Sequence, residues 1–315
     1  IQQSGYGTLN GLTIEADINN GSLLKIQDCK FIQCKGSNYG GAIYLSVNNE
    51  GQITISNSSF SNCEATRGGG IYSSIQTSGK MNIIGQCNFT ECKAVDEGGG
   101  IYCYISGIGS LLTFEDDVKF EGCNSHEGSG ICINIQDQGS SIINKVLFNN
   151  CEAYGYGGMN LLSYSKGIAE ISNISFINCI SEEGGGLFTL TFSEAEMIIT
   201  DTLQFINCKS NYGGGWYAVL NQGSINFNQT EQILFDNCIA FNKGGGIYID
   251  LNNSFITASN TKFQSCKATN SGGGIDAGIG YGQLNIINQC IFIECQSSKG
   301  SGGVVPSLGM EEESL

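Results

Sequence analysis

A pair of short motifs recurs ten times along this chain of 315 residues and leaves few folds open. The first is Phe-x-x-Cys, beginning at Phe31, Phe60, Phe89, Phe120, Phe148, Phe176, Phe205, Phe235, Phe263 and Phe292, so that successive phenylalanines lie 28 to 31 positions apart. The second follows four or five residues later. It is a glycine run and then Ile-Tyr, as in Gly68-Gly69-Gly70-Ile71-Tyr72, with softened copies such as Gly128-Ser129-Gly130-Ile131. A period of about 29 residues marks a solenoid, in which each unit buries its apolar face only against its neighbours.

Within a unit the apolar residues alternate. Ile131, Ile133 and Ile135 are separated by Cys132 and Asn134, a period of two that belongs to strands rather than helices. Each unit holds three such runs: one after the glycines (Ile247 to Leu251), one ahead of the phenylalanine (Leu24 to Ile26), and one carrying Phe-x-x-Cys. Three short strands per coil, stacked in parallel at about 4.8 Å, predict an all-β, right-handed, single-stranded parallel β-helix. Ten rungs make a rod on the order of 50 Å long. The β-helix is expected over residues 1–303, followed by an acidic C-terminal tail over residues 304–315. The 46 glycines suit corners that a Cβ would obstruct, and a single proline, Pro306, suits strands paired on both sides.

The net charge of −15 repels phosphate backbones, so nucleic acid is not an expected partner. No stretch approaches the roughly 20 apolar residues of a membrane-spanning helix, so no transmembrane segment is expected. The chain begins at Ile1 without an initiator Met or a signal-peptide pattern, which reads as a mature or truncated form. Fifteen cysteines and sequons at Asn20, Asn57, Asn88, Asn173, Asn228 and Asn252, all glycosylation candidates, favour a secretory route.

The coupling of Phe-x-x-(Asn or Cys) to Gly-Gly-Ala-Ile or Gly-Gly-Gly-Ile resembles the repeat of the chlamydial polymorphic outer membrane proteins and related protist surface proteins; Gly40-Gly41-Ala42-Ile43 matches it literally. That resemblance implies a right-handed β-helix at a cell surface with adhesive or structural duties. The departure is that every copy here carries Cys after Phe-x-x, often with Asn one place earlier, as in Asn178-Cys179. These 315 residues also hold no outer-membrane barrel, so a eukaryotic surface protein is expected rather than a bacterial autotransporter.

Stacking equal repeats stacks equal side chains. Cys34, Cys63, Cys92, Cys123, Cys151, Cys179, Cys208, Cys238, Cys266 and Cys295 are expected to form one column, either of buried thiols or of pairs between adjacent rungs. Of the other cysteines, Cys29, Cys87, Cys103 and Cys290 read as inward, and Cys132 as outward and open to another chain. Tyr44, Tyr72, Tyr102, Phe188, Tyr217 and Tyr248 form an outward aromatic face, either a surface for partners or sugars or simply favoured strand residues in stacked copies. The acidic residues scatter in turns, and Asp250 with Asp276 is the best carboxylate pair. The one histidine, His126, is assigned to a loop. No catalytic residue, metal site or cofactor is expected, and the chain is read as not an enzyme. The expected role is an extracellular or cell-surface structural or adhesive module, a filament or coat subunit, whose partners are copies of itself, neighbouring surface proteins or glycans. The alternative is a carbohydrate-binding or carbohydrate-cleaving β-helix using the aromatic and acidic face.

Overall fold

The repeated phenylalanines set the register of the whole molecule. In the structure, a computed structural model that describes residues 2–10, 13–227 and 231–308, each motif phenylalanine pairs in parallel with its copy in the next rung, from Phe31 with Phe60 to Phe263 with Phe292. Their rings stack at centroid separations of 4.5 to 5.1 Å. That is the spacing of neighbouring strands, so ring stacking and backbone pairing reinforce each other. The chain is a parallel β-helix of about ten turns, and no helix occurs among the described residues.

A coil has up to four strands, one more than the hydrophobic pattern predicts. The strands after the glycines, from Ile14–Ile18 to Val304–Leu308, form an eleven-stranded sheet, called here the long sheet. The two runs around the phenylalanine share a second sheet of eighteen strands and fuse into one strand at Leu23–Ile32, Ser140–Asn149 and Ile168–Ile177. The fourth strand lies between the cysteine and the glycines, as in Glu64–Arg67 and Lys93–Glu97, and forms two four-stranded side sheets. Its sequence signal is a small inward residue two places after the cysteine. Ala65, Ala94, Ser125, Ala153, Ser181, Ser210, Ala240 and Ala268 are all buried there.

The glycine runs turn the chain from side sheet to long sheet. Gly68 opens its run at φ +65°, in the left-handed region, and a Cβ on Gly100, third in its run, would lie 2.6 Å from the Phe120 ring. The asparagine before several motif cysteines has its own reason. Asn150, Asn178, Asn207 and Asn237 take φ of 51° to 55°, which asparagine tolerates better than most residues, and their amides bond from rung to rung at 2.8 to 3.2 Å.

The boundary drawn at residue 303 is corrected. Val304–Leu308 pairs with Ile275–Ile279 as a further strand, and Pro306 is accommodated because this strand is paired on one side. Residues 309–315 of the expected tail lie outside the described residues.

Candidate functional site

The glycine corner places two columns of side chains next to each other on the outside of the molecule. One column is the second residue of each long-sheet strand, where register stacks Tyr44, Tyr72, Tyr102, Cys132, Asn160, Phe188, Tyr217, Tyr248 and Asp276. The other is the residue just ahead of each glycine run: Tyr39, Arg67, Glu97, Glu127, Tyr156, Glu183, Tyr212 and Lys243, joined by side-sheet pairs and single bridges. Between them stand the glycine run and one inward apolar residue, such as Ile71 or Leu187, so no other side chain projects outward there and the larger ones lean across the corner.

They lean diagonally, each residue of the second column meeting the first column one rung on. Tyr39 packs on Tyr72 with ring centroids 4.5 Å apart, the Arg67 guanidinium lies 5.7 Å from the Tyr102 centroid, and Tyr156 stacks on Phe188 at 4.2 Å. Tyr212 approaches Tyr248 at 5.5 Å. The expected aromatic face is therefore present and outward, but partly roofed. Tyr102 is 6% and Phe188 5% exposed, whereas Tyr39 at the open end is 44% exposed. There the corner widens into a groove of about 430 Å³ lined by Thr13, Glu15, Lys35, Asn38, Tyr39 and Tyr44.

The ring geometry changes along the corner. Tyr44, Tyr72 and Tyr102 stack with interplanar angles of 14° and 15°, whereas Phe188–Tyr217 and Tyr217–Tyr248 meet edge to face at 80° and 75°. Burial raises the Tyr72 hydroxyl to about 12, helped by its neighbours Tyr39 and Tyr44, so the Tyr72 phenol stays neutral.

In the middle of the corner the groups are ionic. Arg67 Nε stands 2.8 Å from the Glu97 carboxylate. Glu127 accepts a 3.2 Å hydrogen bond from Asn160 Nδ2, and His126 Nδ1 lies 3.8 Å from its other oxygen. Burial pushes Glu97 above the ordinary carboxylate range; Arg67 pulls it back, and Glu127 and Asp96 push it up again. Glu127 is raised by burial against the pull of His126 and Arg67, and Glu183 by burial and the neighbouring Glu182. Asn160 is fully buried and its Oδ1 has no hydrogen-bond partner.

Several sequence expectations are corrected by these positions. Cys132 does point outward on its strand, yet it is fully buried beneath the second column, with Asn160 Nδ2 3.7 Å from its sulfur, and is closed to another chain. His126 lies in the strand Asn124–Glu127 rather than a loop. Asp250 and Asp276 do not converge: Asp276 pairs with Tyr248 while Asp250 sits opposite Gly278, two residues along. Asp276 is buried and accepts a hydrogen bond from the Ser271 hydroxyl, whereas Asp250 is exposed.

The carboxylates that do occupy paired positions are Glu97 and Glu127; Glu97 and Glu183 were read only as acidic residues scattered in turns and Asn160 only as a break in the aromatic column, and Glu127 and Arg67 were not singled out. A signal existed: the position before each glycine run carries a tyrosine, a charged residue or, at Ser271, a hydroxyl.

The ten motif cysteines stand in one inward column. From Cys63 onward each motif cysteine is a thiol whose Sγ lies 3.4 to 3.8 Å from the carbonyl oxygen of the preceding rung's phenylalanine, as Cys208 to Phe176 at 3.4 Å and Cys179 to Phe148 at 3.8 Å. Burial pushes the thiols of Cys103 and Cys132 well up and that of Cys87 to about 11. Among the described residues, no group of three or more His, Cys, Asp or Glu is placed to hold a metal ion. Among the described residues no helix is long and apolar enough to cross a membrane.

Of the sequons, Asn20, Asn57 and Asn252 are exposed. Asn88 is half-buried, and Asn173 is tied to Asn144 and Thr202 by hydrogen bonds. Asn228 lies outside the described residues.

No family model matches the chain, and no curated protein does. Among solved structures, it is similar to a mannuronic acid specific polysaccharide family 6 lyase enzyme from human gut microbiota, at 13% identity and a TM-score of 0.32, over 90% of this chain and 82% of that one. The similar structure is that of a lyase enzyme, and the expectation that this chain is not an enzyme is withdrawn.

Proposed function

We propose that the glycine corner binds a polysaccharide laid along the axis of the β-helix. The observation that carries this reading is the side-by-side arrangement of the two columns. Rings from Tyr39, Tyr44 and Tyr72 line the corner, the last two at the pitch of the rungs, and beside them stand the charged groups Arg67, Glu97 and Glu127. A sugar chain presents the same mixture, apolar C–H faces and hydroxyls in a repeating linear order, and tyrosine serves such surfaces with an apolar body and a polar tip. The open groove at Tyr39 and Tyr44 provides the entry. The same reading puts the protein outside a cell or on its surface, where glycan binding is adhesion; the exposed sequon residues Asn20, Asn57 and Asn252 support it.

The test is a panel of immobilised neutral, amino-bearing and acidic polysaccharides probed with the whole protein. At least one is retained, and Tyr39→Ala with Tyr72→Ala weakens that retention about ten-fold or more, the loss of two ring contacts. Retention of none, or retention indifferent to both substitutions, overturns the reading. Assay of each retained polysaccharide for new chain ends separates binding from cleavage.

A further inference from the structure

The corner holds one half-buried carboxylate that lacks a cation. Glu183 pairs in its own column with Tyr156 on one side and Tyr212 on the other. Across the corner stand Phe188 and, one rung on, Tyr217. Tyr156 stacks on Phe188 at 4.2 Å, Phe188 meets Tyr217 edge to face at 5.4 Å, and Tyr212 lies 6.4 Å from Tyr217. Four aromatic residues thus occupy the positions around Glu183, and Tyr156 and Tyr217 lie near enough to feel its charge. No lysine, arginine or histidine forms an ion pair with it among the described residues.

The chain itself shows what such a place accepts. Four rungs earlier in the same column, Arg67 supplies a guanidinium that bonds the next carboxylate, Glu97, at 2.8 Å and lies 5.7 Å from the Tyr102 centroid. Carboxylate, cation and ring face are all present at that point. At Glu183 a carboxylate with aromatic neighbours recurs and, among the described residues, the paired cation does not. A cation entering there would gain from both, through Coulomb attraction in a partly desolvated site and through the negative faces of the rings.

We infer that Glu183, with Tyr156, Phe188, Tyr212 and Tyr217, is a binding site for an ammonium group carried by the ligand. Resting on the polysaccharide reading above, the ligand is then an amino-bearing glycan with free –NH₃⁺ groups, and not a uronate, whose carboxylates the acidic corner repels.

Isothermal titration of the whole protein with a glucosamine tetramer, its N-acetylated counterpart and choline tests this. The tetramer with free amines is expected to bind about ten-fold more tightly than the acetylated one, and Glu183→Gln to erase that difference while the protein keeps its circular dichroism spectrum. A choline signal lost in Glu183→Gln supports the site by itself. Equal binding of the two tetramers, with Glu183→Gln neutral and choline silent, overturns the inference and leaves the polysaccharide reading standing. Choline binding that depends on Glu183, with no binding to any glycan, keeps the ammonium site and overturns the polysaccharide reading. If Glu183→Gln alters the spectrum, Tyr217→Leu replaces it, with the same preference expected to be lost.

Discussion

Arg67 and Glu97 occupy paired positions on adjacent rungs, with Nε 2.8 Å from the carboxylate, the side chain of Glu97 largely covered and that of Arg67 partly open. Replacing Arg67 by Met leaves Glu97 half-buried and repelled by Glu127. The pair is open enough to solvent that the loss amounts to about 1 kcal/mol. Arg67→Met together with Glu97→Gln should recover most of it. Denaturant titration of the two single variants and the double variant checks the coupling; additive losses would show that the pair contributes nothing as a pair.

The phenylalanine column carries far more. Phe148 is fully buried, stacked between Phe120 at 5.0 Å and Phe176 at 4.8 Å. Phe148→Ala removes both stacks and opens a void that flanking rungs, held by backbone pairing, cannot close, at a cost of roughly 3 to 5 kcal/mol. Val95→Ala, at an exposed position, should cost under about 0.5 kcal/mol. Unfolding midpoints of the two variants measured side by side decide.

The glycines divide into those the corner requires and those it does not. Alanine at Gly100 would put its Cβ 2.6 Å from the Phe120 ring and 2.7 Å from the Gly130 carbonyl oxygen. At Gly278 the nearest atom is 3.6 Å away. Gly100→Ala should therefore destabilise by several kcal/mol or abolish soluble expression, and Gly278→Ala should change stability by less than about 1 kcal/mol. Comparable melting curves for both would contradict the packing at the corner.

Burial predicts thiol reactivity. Twelve of the fifteen cysteines are buried, and Cys29, Cys290 and Cys295 are partly open. Thiol titration with a chromogenic disulfide at neutral pH should show at most those three reacting in the native protein and all fifteen after unfolding. A count well short of fifteen in the unfolded chain would mean that rungs are cross-linked.

The acidic corner gives a pH dependence with a definite sign. Burial raises the folded-state values of Glu97, Glu127 and Glu183, so between the unfolded and folded values the unfolded chain holds fewer protons on these groups than the folded one. Their contribution is best below the ordinary carboxylate range and is lost as pH rises through the raised values. The denaturation midpoint should be higher at about pH 5 than at about pH 7. In the triple variant Glu97→Gln, Glu127→Gln, Glu183→Gln the difference should shrink; an unchanged difference would assign it to the overall charge of −15 instead.

Phe-x-x-Cys, the glycine runs and the period of two were enough to read the β-helix, its rung count and its inward columns, because each is a local pattern repeated until chance is excluded. The fourth strand was missed because its inward residue is small. Ala94 or Ser125 leaves too faint an alternation over four or five residues to mark a strand. The corner was half legible. Tyr44 to Tyr248 stood out as one column, but its partner column mixes Tyr, Arg, Glu and Lys, and a search for like residues passes over it. Asp250 and Asp276 looked paired because they come from successive rungs, yet register puts them two positions apart. Glu97 and Glu127 are directly paired. Sequence spacing between them is 30, against 26 for the aspartates, and only the first lies within the repeat period of 28 to 31.

The in-register phenylalanine column has a consequence for how such a protein changes over generations. Each rung offers the next the same stacked ring that it receives, so the joint between rungs is interchangeable. A gene duplication or deletion that adds or removes one whole period leaves every remaining joint intact. It moves the two outer columns past each other by nothing, because both belong to the same rung. What such an event alters is which outward residues become neighbours along the corner, so that surface can be reshuffled by recombination while the core is inherited unaltered.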